Sequence, residues 1–273
     1  MNWDPGFIQR SPMFDVLAAP AAALSTSTQW PRRAALQALI TECGVSNARG
    51  LGLRIVGPQP ATGLSYEERV YERGELEVRE GEWHDVFNVL VWLSYPRTKA
   101  ALNERHVAAA RAEGTLLEAG APRRNRGRVR DALTVLDESG AIVVSTDAGL
   151  ITDLRAFRWK RLFWEQRTAV IGGLRAYLFG KKKKKKALDP YVGVTAHALT
   201  LVTECDFLNE PIERQVGYVD ALAAAQVRNA AAFDTPQSLA PLPLLGVPGW
   251  WHDNERAEFY DNTDYFRAGR QSR

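Results

Sequence analysis

The sequence predicts an α+β fold, helix-dominated, with one small β element that is either a hairpin or a short sheet. Three observations carry this expectation. Trp83, Phe87, Leu90 and Val91 stand at i, i+4, i+7 and i+8, the period of one helix face. Pro96 breaks that segment, and a second helical stretch over 98–113 stops at Gly114. β-Branched residues flank the turn-forming Asp137-Glu138-Ser139-Gly140, which predicts a hairpin, although its first arm over 131–136 also suits a helix.

In chain order, residues 1–29 form an extended arm with Trp3, Phe7, Met13 and Phe14 as anchors onto the body. Residues 29–43 are helical, with Pro31 in the first turn and Gly44 at the stop. Residues 53–56 make a short strand bounded by Gly57-Pro58. Residues 65–73 alternate acid and base, and their period does not choose between helix and strand. Residues 153–177 are expected to form a long helix weakened at Gly172-Gly173, and helices are also expected over 194–205 and 211–233. The proline-rich stretch over 236–248 and the aromatic residues after it then wrap back over the body. This divides the chain into an arm (1–29), one helix-rich globular domain (30–249) and a C-terminal tail (250–273). A chain of 273 residues buries enough surface for one such core.

Composition narrows the function classes. Cys43 and Cys205 are the two cysteines, neither in a Cys-x-x-Cys pattern, so no disulfide framework or zinc site is expected. The first 20 residues lack the basic segment of a secretory signal. No apolar run approaches the roughly 20 residues that span a bilayer. A cytoplasmic protein without membrane insertion is expected. Six of the eight lysines form one run over 181–186, and without it the net charge of +3 becomes −3. The basic balance is therefore local and predicts no nucleic-acid surface. The run itself suits an exposed face without a specific ligand.

The pattern Trp83-His84-Asp85-x-x-Asn88-x-x-Val91-Trp92, followed by Tyr95-Pro96-x-Thr98-Lys99-x-x-Leu102-Asn103, resembles a proteobacterial family known as domain of unknown function 3025. The block from Arg130 to Thr134 with Asp137, Glu138 and Gly140 resembles its next conserved stretch, as do Phe163-Trp164 and the segment from Leu245 to Trp251. The resemblance spans most of the chain and implies a bacterial, single-domain protein. It implies no activity. After the glycine matching Gly180, the family pattern carries His-Ala and a mixed apolar helix, where this chain has its six lysines. The run is a replacement of that segment, an engineered stretch or a placeholder. A site that used the family's histidine is incomplete here.

The candidate chemistry lies in the polar residues of the most apolar segment, because buried polar groups must be paired or functional. His84 and Asn88 share a helix face, and Asn103 and His106 share another. Antiparallel packing brings the four together. His84 and Asp85, adjacent on a helix, diverge by about 100° and are not expected to pair directly. The candidate catalytic residues are His84, Asp85, His106 and Asp131. Asn88, Lys99, Asn103 and Arg130 are candidates for substrate binding, with Arg130 as an anion clamp. His84, His106 and Asp137 are candidate ligands for a divalent metal, since such ions favour imidazole and carboxylate. No cofactor is identified beyond that possible metal. Arg123, Arg124, Arg126 and Arg128 form a cluster suited to a phosphate-bearing ligand. The second Trp-His-Asp, at residues 251–253, is a further contributor if the tail folds back. Two functions stand against each other: a metal-assisted hydrolase, and a non-catalytic binding or scaffold protein whose polar core serves folding.

Overall fold

The computed structural model describes residues 2–59, 63–118 and 127–269, the side chains of 115–118 excepted. The first segment is helical in short pieces, not extended. Ser11 caps a 3-10 turn over Pro12–Leu17 by accepting the Met13 N–H at 3.2 Å, and helix α1 (Ala18–Ala22) follows. These turns bury Phe7, Met13 and Phe14. Phe14 stacks on Phe87 with ring centroids 5.8 Å apart, and Phe7 meets Trp83 edge-on at 5.2 Å.

Helix α2 (Arg33–Glu42) leads into β1 (Arg54–Val56), α3 (Tyr66–Arg73) and β2 (Glu75–Glu77). Strands β1 and β2 pair in parallel. The undecided segment is a helix because Ser65 and Glu68 form a reciprocal capping box at its start. Helix α4 (Trp83–Ser94) forms at the expected place; helix α5 (Pro96–Glu118) also begins as expected but runs on through Gly114, the expected stop. Pro96 opens α5, where its missing N–H costs nothing. The buried Asp220 carboxylate accepts the N–H groups of Arg97 at 3.0 Å and Thr98 at 2.7 Å.

The predicted hairpin is corrected. Residues 131–136 lie inside helix α6 (Arg128–Ser139), and β3 (Gly140–Ser145) follows it directly. The long helix expected over 153–177 is corrected too. It divides into α7 (Ala148–Arg155), a π-helical turn (Arg161–Glu165), α8 (Arg167–Gly173) and β4 (Leu174–Leu178). Asp153 gathers Arg158, Arg161 and Gln166 around one carboxylate and folds the chain on itself. The lysine run forms α9 (Lys181–Ala187), with Lys181 and Lys184 buried rather than exposed. The helix expected over 194–205 is strand β5 (Thr195–Val202), because pairing with β3 overrides local preference. Helix α10 (Ile212–Arg228) and β6 (Ala240–Pro243) complete the named elements.

The larger sheet has the order β4-β3-β5-β6. Strand β3 is antiparallel to β4 and parallel to β5, and β5 is antiparallel to β6. All six residues of β3 are buried, as expected of a strand covered on both faces. The fold is thus α+β and helix-dominated, with two small sheets. Among the described residues no helix is long and apolar enough to cross a membrane.

One close approach places the site. A Cβ on Gly180 would lie 2.4 Å from the Gly140 nitrogen, and one on Gly140 would lie 2.2 Å from the Leu136 carbonyl oxygen. Bare backbone at both positions lets the Gly180 N–H donate to the Gly140 carbonyl at 2.7 Å. The end of α6 and the start of α9 therefore meet, and both approach α4. The residues after 249 pack back through Asn254, which donates to the carbonyls of Leu245 and Val247 at 2.9 and 2.7 Å.

Candidate functional site

A half-open polar cleft of about 380 Å³ lies where α3, α4, α5, α6 and α9 converge. His84, Asp85 and Asn88 enter it from α4, His106 from α5, Thr134, Asp137 and Glu138 from α6, and Tyr66 and Glu67 from α3.

His84 and Asp85 do pair, contrary to the sequence-based expectation: His84 Nδ1 lies 2.9 Å from Asp85 Oδ1. Both stand in the first turn of α4, and helical side chains lean toward the N-terminus, where no earlier turn separates them. Arg79, just ahead of the helix, anchors the carboxylate. Its backbone N–H and its Nε each donate to Asp85 Oδ2 at 2.8 Å, and its Nη2 donates to Oδ1 at 3.0 Å. Burial would raise the Asp85 carboxyl, but the hydrogen bonds from His84 and Arg79 outweigh it and hold it well below the usual range.

The other face of the imidazole meets α6, with His84 Nε2 3.5 Å from Glu138 Oε2. The hydrogen bond to Asp85, then the nearby Glu138 carboxylate, raises His84 above an ordinary histidine. Glu138, against the effect of burial, is drawn down to about 2 by the His84 contact and the Lys181 charge.

Asp137 sits between two ammonium groups. Lys99 donates to Oδ1, and Lys181 donates to Oδ2 at 2.6 Å. These two charges outweigh burial and keep Asp137 ionised far below the usual carboxylate range. Lys181 also lies 3.2 Å from Glu138 and is held above an ordinary lysine against the effect of burial. Lys99 is lowered by burial and lies 5.4 Å from the Trp92 ring centroid. It also donates to Asn88 Oδ1 at 3.1 Å, and Asn88 Nδ2 donates to the Tyr66 hydroxyl at 2.9 Å.

The fold therefore gathers His84, Asp85, Asn88, His106 and Asp137, with Lys99 directly behind them. It does not bring every candidate there. Asn103 ties α5 to α3 instead, donating to the Glu67 carbonyl at 2.9 Å and its carboxylate at 2.7 Å. Arg130 points to Glu113, at 3.0 Å, and neither it nor Asp131 lines the cleft. The cause is position along α6: residues 130 and 131 stand in its first turn, about 10 Å along the axis from Asp137 and Glu138, so they reach the neighbourhood of Glu113 instead of the cleft. His252 is exposed beside Asp253 and does not reach the cleft. Arg123, Arg124 and Arg126 lie outside the described residues, and Arg128 is exposed at the start of α6. Among the described residues no three His, Cys, Asp or Glu side chains are grouped so as to hold a metal ion.

Tyr66, Glu67, Arg79 and Glu138 line the cleft without having stood out as candidates. Glu138 had a signal in sequence, its place beside Asp137 two residues before Gly140. Tyr66 had none beyond its apolar ring.

A helix-dominated α+β chain with a His-carboxylate cleft at a convergence of five helices is the class of protein that fold and site define. Residues 55–270 match the family model described as "Protein of unknown function (DUF3025)", and the chain belongs to that family. No curated protein and no solved structure matches it.

Proposed function

We propose that this cleft is the active site of a hydrolase in which His84, oriented by Asp85, carries the proton. The observation behind the reading is the 2.9 Å His84–Asp85 pair on the wall of an open polar cleft. An imidazole whose ring is fixed through one nitrogen is the commonest general acid–base group. Two neighbouring carboxylates favour its charged form. His84 therefore becomes a competent base only above its raised pKa, and hydrolysis should rise with pH through that value. Glu138→Gln removes one of the carboxylates and moves the rise to lower pH.

The reading routes no step through a metal, because both Asp137 oxygens already accept from ammonium groups. Thermal melting with EDTA, then with Mg²⁺, Mn²⁺ or Zn²⁺, is expected to give one melting temperature throughout. A metal-specific rise that disappears in His84→Ala and His106→Ala would restore the ion.

The scaffold reading keeps one observation in its favour, the saturation of Asp85 by three bonds from Arg79. A screen with p-nitrophenyl esters separates the two. In the hydrolase reading His84→Gln abolishes turnover while the protein stays folded. Lost stability with no turnover to lose, in any variant, leaves the scaffold. A cytosolic setting is the companion proposal, supported by two exposed cysteines without partners of their own kind.

A further inference from the structure

We infer that Tyr66 binds and polarises the acceptor oxygen of the substrate, and that the substrate is a neutral acyl compound, an amide or an ester. The inference rests on the hydrolase reading above and adds to it a second catalytic residue.

The argument starts at Lys99. Beside the ionised Asp137 its side chain is an ammonium, which donates and cannot accept. Its 3.1 Å contact with Asn88 therefore fixes the amide oxygen toward Lys99. The amide nitrogen is then turned toward the Tyr66 hydroxyl at 2.9 Å, and that nitrogen cannot accept either. Tyr66 is forced to act as acceptor at this contact, so its own proton must point elsewhere. Among the described residues no acceptor takes that proton, and Tyr66 lines the cleft. Burial raises the phenol above an ordinary tyrosine, which keeps it a donor. Lys99 and Asn88 are thus positioning residues that aim one O–H at the space beside His84.

Charge selects the kind of oxygen. The cleft's arginine and lysines are already committed to its carboxylates: Arg79 to Asp85, Lys181 to Asp137 and Glu138, and Lys182 to Glu138. The donor that Tyr66 offers is one neutral O–H, which matches a carbonyl oxygen and lacks the charge that a phosphate dianion needs. In the reaction, water attacks the acyl carbon and gives a proton to His84. The carbonyl electron pair moves onto oxygen, where the Tyr66 O–H stabilises it without surrendering its proton. The bond from carbon to the leaving nitrogen or oxygen then breaks, and His84 returns the proton to that atom.

The test uses protein isotope-labelled at tyrosine Cζ, titrated with acetamide and separately with inorganic phosphate. A saturable shift of the Tyr66 resonance with acetamide, and none with phosphate, is expected. Asn88→Asp is nearly isosteric but replaces the donor with an acceptor, so the phenol proton turns toward residue 88 and the acetamide shift is lost in a folded protein. Tyr66→Phe should lower kcat on p-nitrophenyl acetate by about 10²-fold, the usual loss for one oxyanion donor, with KM less changed. A Tyr66 resonance unmoved by acetamide, or moved equally by phosphate, overturns the inference, as does Tyr66→Phe with unaltered kcat. The acetamide shift does not depend on His84. Its survival in His84→Gln therefore separates a failure of the hydrolase reading from a failure of this one.

Discussion

Lys184 has no exposed surface, and among the described residues its amine donates only to the Leu178 carbonyl. Burial alone pushes it well below an ordinary lysine. A buried polar group so poorly matched costs about 1–3 kcal/mol. Lys184→Leu is therefore expected to raise the melting temperature, and melting by circular dichroism checks it. The sign with pH follows from proton binding. The unfolded chain holds more protons than the folded one between the lowered value and the ordinary lysine value, so stability rises with pH across that window. The gain from Lys184→Leu should shrink as pH approaches that ordinary value. His84 runs the other way. Its pKa is raised on folding, so its contribution is whole below about 6.5, the ordinary histidine value, and fades as pH rises through the folded value. His84→Gln should lose stability chiefly on the acid side of that value.

The helix α5, which carries Lys99 and His106 to the cleft, depends on a cap from a distant part of the chain. Asp220 on α10 accepts the Arg97 and Thr98 N–H groups with its carboxylate and the Thr98 hydroxyl with its carbonyl, at 3.1 Å. Asp220→Ala takes the carboxylate acceptor from the Arg97 and Thr98 N–H groups and should cost about 2 kcal/mol, the upper end for a lost cap. Asp220→Asn keeps one acceptor and should cost less, and urea denaturation of both variants measures the difference. At this scale the sequence was uneven. The period around Trp83 and the break at Pro96 placed α4 and α5 closely. The stretch over 194–205 suits a helix by its apolar pattern and is strand β5, because a short apolar strand and a buried helix segment look alike until a pairing partner is known. The hairpin failed for the same reason: β3 finds its partners in β4 and β5, both distant in sequence, and not across the nearest turn.

Over the whole molecule, the N-terminal turns are part of the core. Phe7 and Phe14 close the aromatic cluster around Trp83 and Phe87, the residues from which α4 takes its position beneath the cleft. Losing one buried phenylalanine costs about 3–5 kcal/mol, and a domain holds only about 5–15 kcal/mol in total. A chain starting at residue 18 is therefore expected to show no cooperative unfolding transition by calorimetry. A transition of ordinary sharpness would reduce those turns to an ornament.

By itself the sequence determined what is local: the helix-dominated α+β class, the helices either side of Pro96, and the wealth of polar residues in the most apolar stretch. Tertiary structure alone decided who meets whom. Asp85 and His84 pair because the chain ahead of α4 brings Arg79 back to the helix start. Glu138 faces His84 because Gly140 and Gly180 let α6 and α9 touch. Tyr66 enters the cleft because Ser65 starts a helix there and Asn88 holds its hydroxyl. Periodicity fixes which residues share a face of one element. The partner that face meets depends on contacts between distant segments, which no local pattern records.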